Sequence, residues 1–331
     1  MSKTVCVIGS NSFSGSDFID HVLEVTDYDI IGISRSPEKD PIFLPYKMRS
    51  DLSRFSFYQL DLNTDMPGIK SLFSEKKPEF IVNFAAQSEV APSWDHPEQW
   101  FMTNAVAIAK LGNYLKDQKW LSRYVQISTP EIYGTCEGFV DEHAPINPST
   151  PYAASKSAGD LMLQTLVKNF NFPLITIRST NVYGAHQQLH KIIPRSIIYL
   201  KTGKKIPLHG GGNAVKSYIH IRDISKGELL AMERGVPGEI YHLSPDEGIS
   251  IKDLVSKICM LMGKDFESSV LPVGERLGQD KAYTLDSSKA RDNLGWKPVI
   301  SLDEGLAEVI GWVENNIERI TVFPLEYAHQ E

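Results

Sequence analysis

Tyr152 and Lys156 stand four residues apart in the run PYAASKSAGD, a spacing that puts both side chains on one face of a helix. An ammonium near an oxidised nicotinamide lowers the pKa of the neighbouring phenol, which makes Tyr152 a base for a sugar hydroxyl as hydride leaves the same carbon. Chance produces Tyr-x-x-x-Lys pairs often, so this one needs support from elsewhere in the chain. The run RYVQISTPEIYG supplies it: Thr129 can orient the hydroxyl, and Glu131, two residues on, faces the same side if the strand continues. Oxidation of an alcohol needs no second base. Glu131 therefore points to chemistry after oxidation.

A second group of residues lies at the start of the chain. In IGSNSFSGSDF, Gly9 and Gly15 bracket a turn, and Ser12 stands at the middle glycine of a G-x-x-G-x-x-G pattern, which weakens the signal. Gly9 would allow the tight turn, and amides at the start of a helix beginning near Gly15 would hold a pyrophosphate without Lys or Arg. The next strand ends in Ser34 and Arg35, with no acid for ribose hydroxyls. That pair suits a 2′-phosphate, so NADP is favoured and NAD is the alternative. Asp61 and Leu62 stand where an adenine ring would be flanked, although Asp61 serves equally well as a cap for a helix at Met66.

These groups need elements to hold them. Short β-branched runs at 4–8, 29–33, 55–60, 80–84, 123–128 and 174–179 alternate with helical patterns at 15–25, 66–76, 98–118 and 152–169. That rhythm predicts an α/β fold, a Rossmann-type doubly wound parallel sheet. The 152–169 helix is entered through Ser149 and Pro151. Beyond about residue 180 the elements shorten, with helices near 191–202, 222–234, 251–262 and 302–317, while EIYHLS at 239–244 returns to the first sheet. The expected division is a dinucleotide-binding domain over 1–180 and 215–245, and a smaller substrate lobe over 181–214 and 246–331.

The 331 residues exceed one small module at ~150 residues per domain. With 42% hydrophobic and 23% charged residues the chain buries sizeable cores, and its net charge of −7 argues against nucleic acid or any general polyanion surface. Three widely spaced cysteines fit neither a disulfide framework nor a zinc site, and no metal is expected. No apolar run approaches a membrane span or a signal-peptide core, so a cytoplasmic protein is expected.

Matching runs in order along nearly the whole chain carry a resemblance: IGSNSFSG, NFAAQSEV, TNAVA, STPEIYG, PYAASK, RSTNVYG, KIIPRSI, GNAVKSYIHIRDIS and ERLGQDKAYTLDSSKARDNLGWKP. The chain resembles the extended short-chain dehydrogenases/reductases, and within them the nucleotide-sugar 4,6-dehydratases. The resemblance implies that Thr129, Tyr152 and Lys156 form the dehydrogenase triad and that Glu131 removes the proton at carbon 5. It places Asn11, Phe13, Ala85, Ala86, Gln87 and Asn104 on the cofactor alongside the residues above. Ser88, Thr129, Asn181, Lys191, Ile192, Lys216 and Arg276 fall on the substrate, a nucleotide-diphosphate sugar whose charge an acidic protein must meet with placed cations. It also implies a tightly bound cofactor recycled in each turnover, and a homodimer built on the 98–118 and 152–169 helices.

Departures within the resemblance matter. Dehydratases acting on dTDP-glucose place an acidic Asp before the Glu, and this chain has Pro130, which bears no proton to donate. Lys216, Gln279 and His242 replace Arg, His and Asn of those enzymes, which suggests an altered nucleotide pocket. The AAQS run, the missing Asp and the Arg after the second strand are shared with GDP-mannose 4,6-dehydratases, which use NADP. UDP-glucuronate decarboxylation is the nearest rival, but no extra Arg for a carboxylate stands near these motifs. A 4-epimerase has no task for Glu131, and a non-catalytic dinucleotide-binding protein has no need of the intact Thr, Glu, Tyr and Lys set.

Overall fold

The computed structural model describes residues 2–136, 138–274 and 284–329. Seven strands form the main sheet: β1 (Thr4–Ile8), β2 (Asp29–Ser34), β3 (Phe55–Gln59), β4 (Phe80–Asn83), β5 (Arg123–Ile127), β6 (Leu174–Ser179) and β7 (Ile240–Leu243). Their order is β7-β6-β5-β4-β1-β2-β3, and every neighbouring pair is parallel. The late strand at 239–244 does rejoin the sheet, and it pairs with β6 from Ile240 opposite Thr176.

The period-2 alternation of a strand explains the two layers. Val5 and Val7 of β1 face one core with Phe18, Ile19 and Val22 of the helix Phe13–Val25 and with Ile224 and Met232 of the helix Ile221–Arg234. Cys6 and Ile8 face the opposite core, with Ile69 and Phe73 of the helix Met66–Lys76, Leu111 of the helix Ile108–Leu115 and Leu163 of the helix Pro151–Phe170. A third apolar cluster lies beyond the sheet. It joins Ile193 and Ile197 with Leu254, Ile258, Leu306 and Val313 from the helices Ile192–Lys201, Ile251–Leu261 and Leu302–Ile320. Among the described residues no disulfide joins Cys6, Cys136 and Cys259. No helix among the described residues is long and apolar enough to cross a membrane.

Two helix starts differ from the sequence reading, for the same reason. Ser12, not a residue near Gly15, caps the first helix, and Thr150, not Ser149, caps the Pro151–Phe170 helix. In each case the hydroxyl accepts from the amide three residues on, Gly15 at 3.0 Å and Ala153 at 3.1 Å, which satisfies one orphan donor of the first turn.

Candidate active site

Strand order reverses between β1 and β4, and a crevice opens there at the carboxyl ends of the strands. A cleft of about 570 Å³ occupies it, walled by the turn after β1, by Ser34 and Arg35, and by the segment from Ala85 to Glu89. That volume falls in the range of cofactor sites. Gly9 sits at φ +85°, and a Cβ there would lie 2.7 Å from the Ala85 nitrogen, so only glycine lets the two strand ends approach. A Cβ on Gly15 would lie 2.4 Å from the Gly9 carbonyl oxygen. Ser12 is thus no defect in the glycine pattern. It closes the turn as a cap and keeps the helix's opening amides at the cleft wall.

Asn11 and Ser34 brace the turn from inside. The Asn11 amide donates to Ser34 Oγ at 2.9 Å, and its Nδ2 donates to the carbonyls of Ser36 and Pro37 at 2.9 and 2.8 Å. Its buried Oδ1 has no partner among the described residues. A buried acceptor left unpaired at a cleft wall fits a ligand that brings a donor, such as a ribose hydroxyl. Arg35 lines the cleft with Lys39, an exposed residue whose ammonium is held below its ordinary range by desolvation and by the Arg35 charge. Asp61 and Leu62 line the cleft too. Asp61 Oδ1 accepts from the Asn63 amide at 2.7 Å, and the cap position before Met66 belongs to Asp65, which corrects the capping alternative.

The catalytic candidates lie beside the cleft rather than in its wall. β5 stops at Ile127, so the strand does not continue through Glu131 as the sequence reading required. Thr129 instead caps a single 3₁₀ turn, Pro130–Tyr133, and its Oγ1 accepts from the Glu131 amide at 3.3 Å. Pro130 suits the first position of that turn, where an amide hydrogen has no helical partner. Both residues still bear on Tyr152: burial pushes its phenol well above the ordinary range, the Glu131 charge adds to this, and a hydrogen bond with Thr129 opposes it. Lys156 is buried and donates from Nζ to the Ile127 carbonyl at 2.7 Å. Burial pulls its ammonium down to about 8, against the pull of the Asp160 carboxylate.

Asn104 joins these two regions. Its Oδ1 accepts from the Gln87 amide at 3.0 Å, while Nδ2 donates to the Gln87 carbonyl at 2.9 Å and to Ser155 Oγ at 3.0 Å. Gly159 permits that approach, since a Cβ there would lie 2.2 Å from the Asn104 carbonyl oxygen. Among the substrate candidates, exposed Ser88 lines the cleft, and Asn181 donates to the Ser217 carbonyl at 3.2 Å. Lys216 lies on the short strand Val215–Lys216, and Ile192 opens a helix. Lys191 donates to Glu89 Oε1 at 2.5 Å, and His190 lies 3.1 Å from the same oxygen. Arg276 and Gln279 lie outside the described residues. Among the described residues no cluster of three His, Cys, Asp or Glu side chains is placed to hold a metal.

The profile of the GDP-mannose 4,6 dehydratase family matches residues 6–309. The chain belongs to that family. A dTDP-glucose 4,6-dehydratase of Streptomyces antibioticus is 31% identical over 94% of this chain and 92% of its own, and one from Haemophilus influenzae is 28% identical over 93% and 97%. The crystal structure of the dTDP-glucose 4,6-dehydratase of Streptomyces venezuelae, with NAD bound, superposes with a TM-score of 0.87 at 29% identity, covering 96% of this chain and 98% of that one. A UDP-glucose 4-epimerase of Thermotoga maritima, at 24% identity and a TM-score of 0.86, shares the fold.

Several residues of this family member escaped the sequence reading. Asp160, one turn after Lys156, accepts from Ser128 Oγ at 2.6 Å and from Arg178 Nη2 at 3.1 Å, and the Asp160 and Arg178 side chains are each 4% exposed. Arg178 Nη1 donates to the Tyr133 hydroxyl at 2.5 Å, and that hydroxyl meets His242 Nε2 at 2.8 Å. A charged residue inside the buried run LITIRS was a readable sign of this network. His242 is therefore an interior residue on β7 and not part of a nucleotide pocket; burial and the Arg178 charge pull its imidazole down to about 3. The segment after the last helix was missed as well. Phe323, Glu326 and Tyr327 line the cleft, and His329 stacks on Trp100 and bonds to Gln99.

Proposed function

We propose that this chain is a nucleotide-sugar 4,6-dehydratase working with NAD(P), in which Thr129, Tyr152, Lys156 and Glu131 do the chemistry. The observation that carries the reading is the convergence on one phenol, Tyr152, of a hydroxyl from the β5 turn and a carboxylate two residues beyond it, with a buried lysine one turn along the same helix. A nicotinamide dinucleotide held by the turn at Gly9 to Gly15, by Ser34 and Arg35 and by Ala85 to Gln87 would supply the reversible hydride acceptor that such a reaction needs. Tyr152 takes the proton of the 4-hydroxyl, which Thr129 orients, and Lys156 stabilises the phenolate. The 4-ketone acidifies carbon 5, Glu131 takes that proton, and water leaves from carbon 6. The product is a 4-keto-6-deoxy sugar nucleotide. A 4-epimerase would leave Glu131 without a task.

The finer parts of the reading follow the same residues. NADP is preferred over NAD because Arg35 and Lys39 present two cations at the end of β2, where a 2′-phosphate would sit, although the solved relative described above carries NAD. A homodimer forms through the helices over 97–115 and 151–170, which expose Phe101, Met102, Val106 and Leu161. The substrate lobe comprises 181–214 and 246–331 and holds the sugar nucleotide with Asn181, Lys191, Ile192, Lys216 and Arg276; its separate apolar cluster supports the division. Mass spectrometry of products from UDP-, dTDP-, GDP- and CDP-sugars tests the activity. A product one water lighter than its substrate supports it, and loss of carbon dioxide, epimerisation alone or no turnover on any sugar nucleotide overturns it.

A further inference from the structure

The segment that follows the helix Leu302–Ile320 has no helix or strand over 321–329, yet it is held at both ends. At its start, Arg319 Nη2 meets Asp40 Oδ1 at 2.6 Å, and the Phe323 ring stands edge-on to Phe43 at 5.1 Å. At its end, His329 stacks on Trp100 at 5.1 Å and on His96 at 5.3 Å, and its Nε2 bonds to Gln99 Oε1 at 2.6 Å. Between these points the Tyr327 ring packs against His190 at 5.4 Å. Asp40 and Phe43 follow β2, whereas His96 and Trp100 follow β4, and the sheet order β4-β1-β2 sets those two strands on opposite sides of β1. The segment therefore crosses the crevice at the carboxyl end of β1. Phe323, Pro324 and Tyr327 line the same cleft as Gly9 and Arg35.

We propose that residues 321–329 are a strap over the dinucleotide site: they form its outer wall, and their release admits and frees NAD(P). The proposal rests on the reading of the cleft as the cofactor site. Its physical basis is the contrast between where the segment lies and how it is held. The segment has no helix or sheet ladder of its own to break, Val322, Pro324, Glu326 and Ala328 are exposed, and its fastenings are ring contacts and bonds at the cleft rim. A stretch of that kind opens at far lower cost than the sheet beneath it. A cofactor that takes up and returns a hydride within one turnover need not leave between turnovers, so slow release does not slow such an enzyme. A closed wall acts on both directions of exchange: entry is reduced to the fraction of time the site is open, and exit waits on the same opening. That separates a strap from an ordinary contact residue, whose loss speeds release and leaves entry nearly unchanged.

The test loads stripped protein with NADH or NADPH, whichever binds the parent more tightly. Association is read by stopped-flow quenching of protein fluorescence, and dissociation by a chase with excess oxidised cofactor. Two variants are compared with the parent: deletion of 321–331, and Phe323→Ala with His329→Ala in the otherwise intact chain. One aromatic contact is worth ~2- to 10-fold in an equilibrium constant, so the double substitution should speed both steps by ~3- to 30-fold, and the deletion at least as much. Dissociation at the parent rate in both variants overturns the proposal. Faster dissociation with association unchanged or slowed overturns it too, because that pattern marks Phe323 and His329 as contact or structural residues only. If the deletion does not fold, the double substitution decides alone. If the parent binds neither NADH nor NADPH, the reading of the cleft fails instead, and the strap falls with it.

Discussion

The β5 end of the sheet and the β1–β2 end are built on opposite plans. At β5, Thr129, Tyr152 and Lys156 are buried, and charged groups fasten the surroundings: Lys156 to the Ile127 carbonyl, and Asp160 to Ser128 and Arg178. At β1–β2 the cradle is made of backbone and neutral side chains, with Gly9, Asn11, Ser12 and Ser34 holding one another and two cations at the rim. A proton acceptor must be placed within hydrogen-bond reach of one atom, and a low-dielectric, cross-braced setting gives that placement. A diphosphate spreads its charge over many oxygens and is met well by a row of amides. The first region should respond to single substitutions with losses of chemistry, the second with losses of affinity or selectivity.

The largest effect belongs to Tyr152→Phe, which keeps the ring and removes the base. Reduction of bound cofactor by substrate should fall by ~10²- to 10⁴-fold in stopped-flow absorbance, while cofactor affinity by calorimetry stays near that of the parent. Next comes Asp160→Asn, which leaves Arg178 buried beside a neutral partner. Breaking a buried pair costs ~3–5 kcal/mol, to be seen in urea denaturation. The same change removes the charge that holds the Lys156 ammonium up against burial, so Lys156 loses its proton at a lower pH than its present value of about 8. The alkaline fall of the hydride-transfer rate should move to lower pH, and an unmoved limb would separate Asp160 from the chemistry.

Smaller effects belong to the other end. Arg35→Asp should reverse an NADP preference, because a charged hydrogen bond of ~1.5–3 kcal/mol becomes a repulsion, a change of about ten- to a hundredfold in relative Kd by calorimetry. NAD binding ahead of NADP in the parent would show that Arg35 and Lys39 do not read a 2′-phosphate. Ser12→Ala removes only a helix cap and should lower stability by ~1 kcal/mol, with turnover at saturating cofactor unchanged.

The sheet was legible because its strands are short buried runs separated by helical patterns, and periodicity alone distinguishes the two. Tyr152 and Lys156 were legible as a pair because a helix brings residues four apart together. Glu131 was expected to share a side with Thr129 along a continuing strand, whereas a 3₁₀ turn joins the two, because the strand pattern does not show where pairing stops. His242 was misread because one residue's type does not reveal which face of a strand it occupies when both faces are buried. The partners of Asp160, His190 and Tyr327 lie far off in the chain, at Arg178, Glu89 and the cleft rim, and local pattern carries no record of such meetings.

The central claim is that oxidation and elimination are performed by different residues. Glu131→Gln, mixed rapidly with a sugar nucleotide that the parent dehydrates, tests it most directly, with cofactor absorbance and quenched product followed together in deuterated water. The division of labour requires a normal rise of reduced cofactor in the first turnover, with dehydrated product formed ~10²- to 10⁴-fold more slowly. Full turnover, with solvent deuterium still entering carbon 5 at the parent rate, would contradict it.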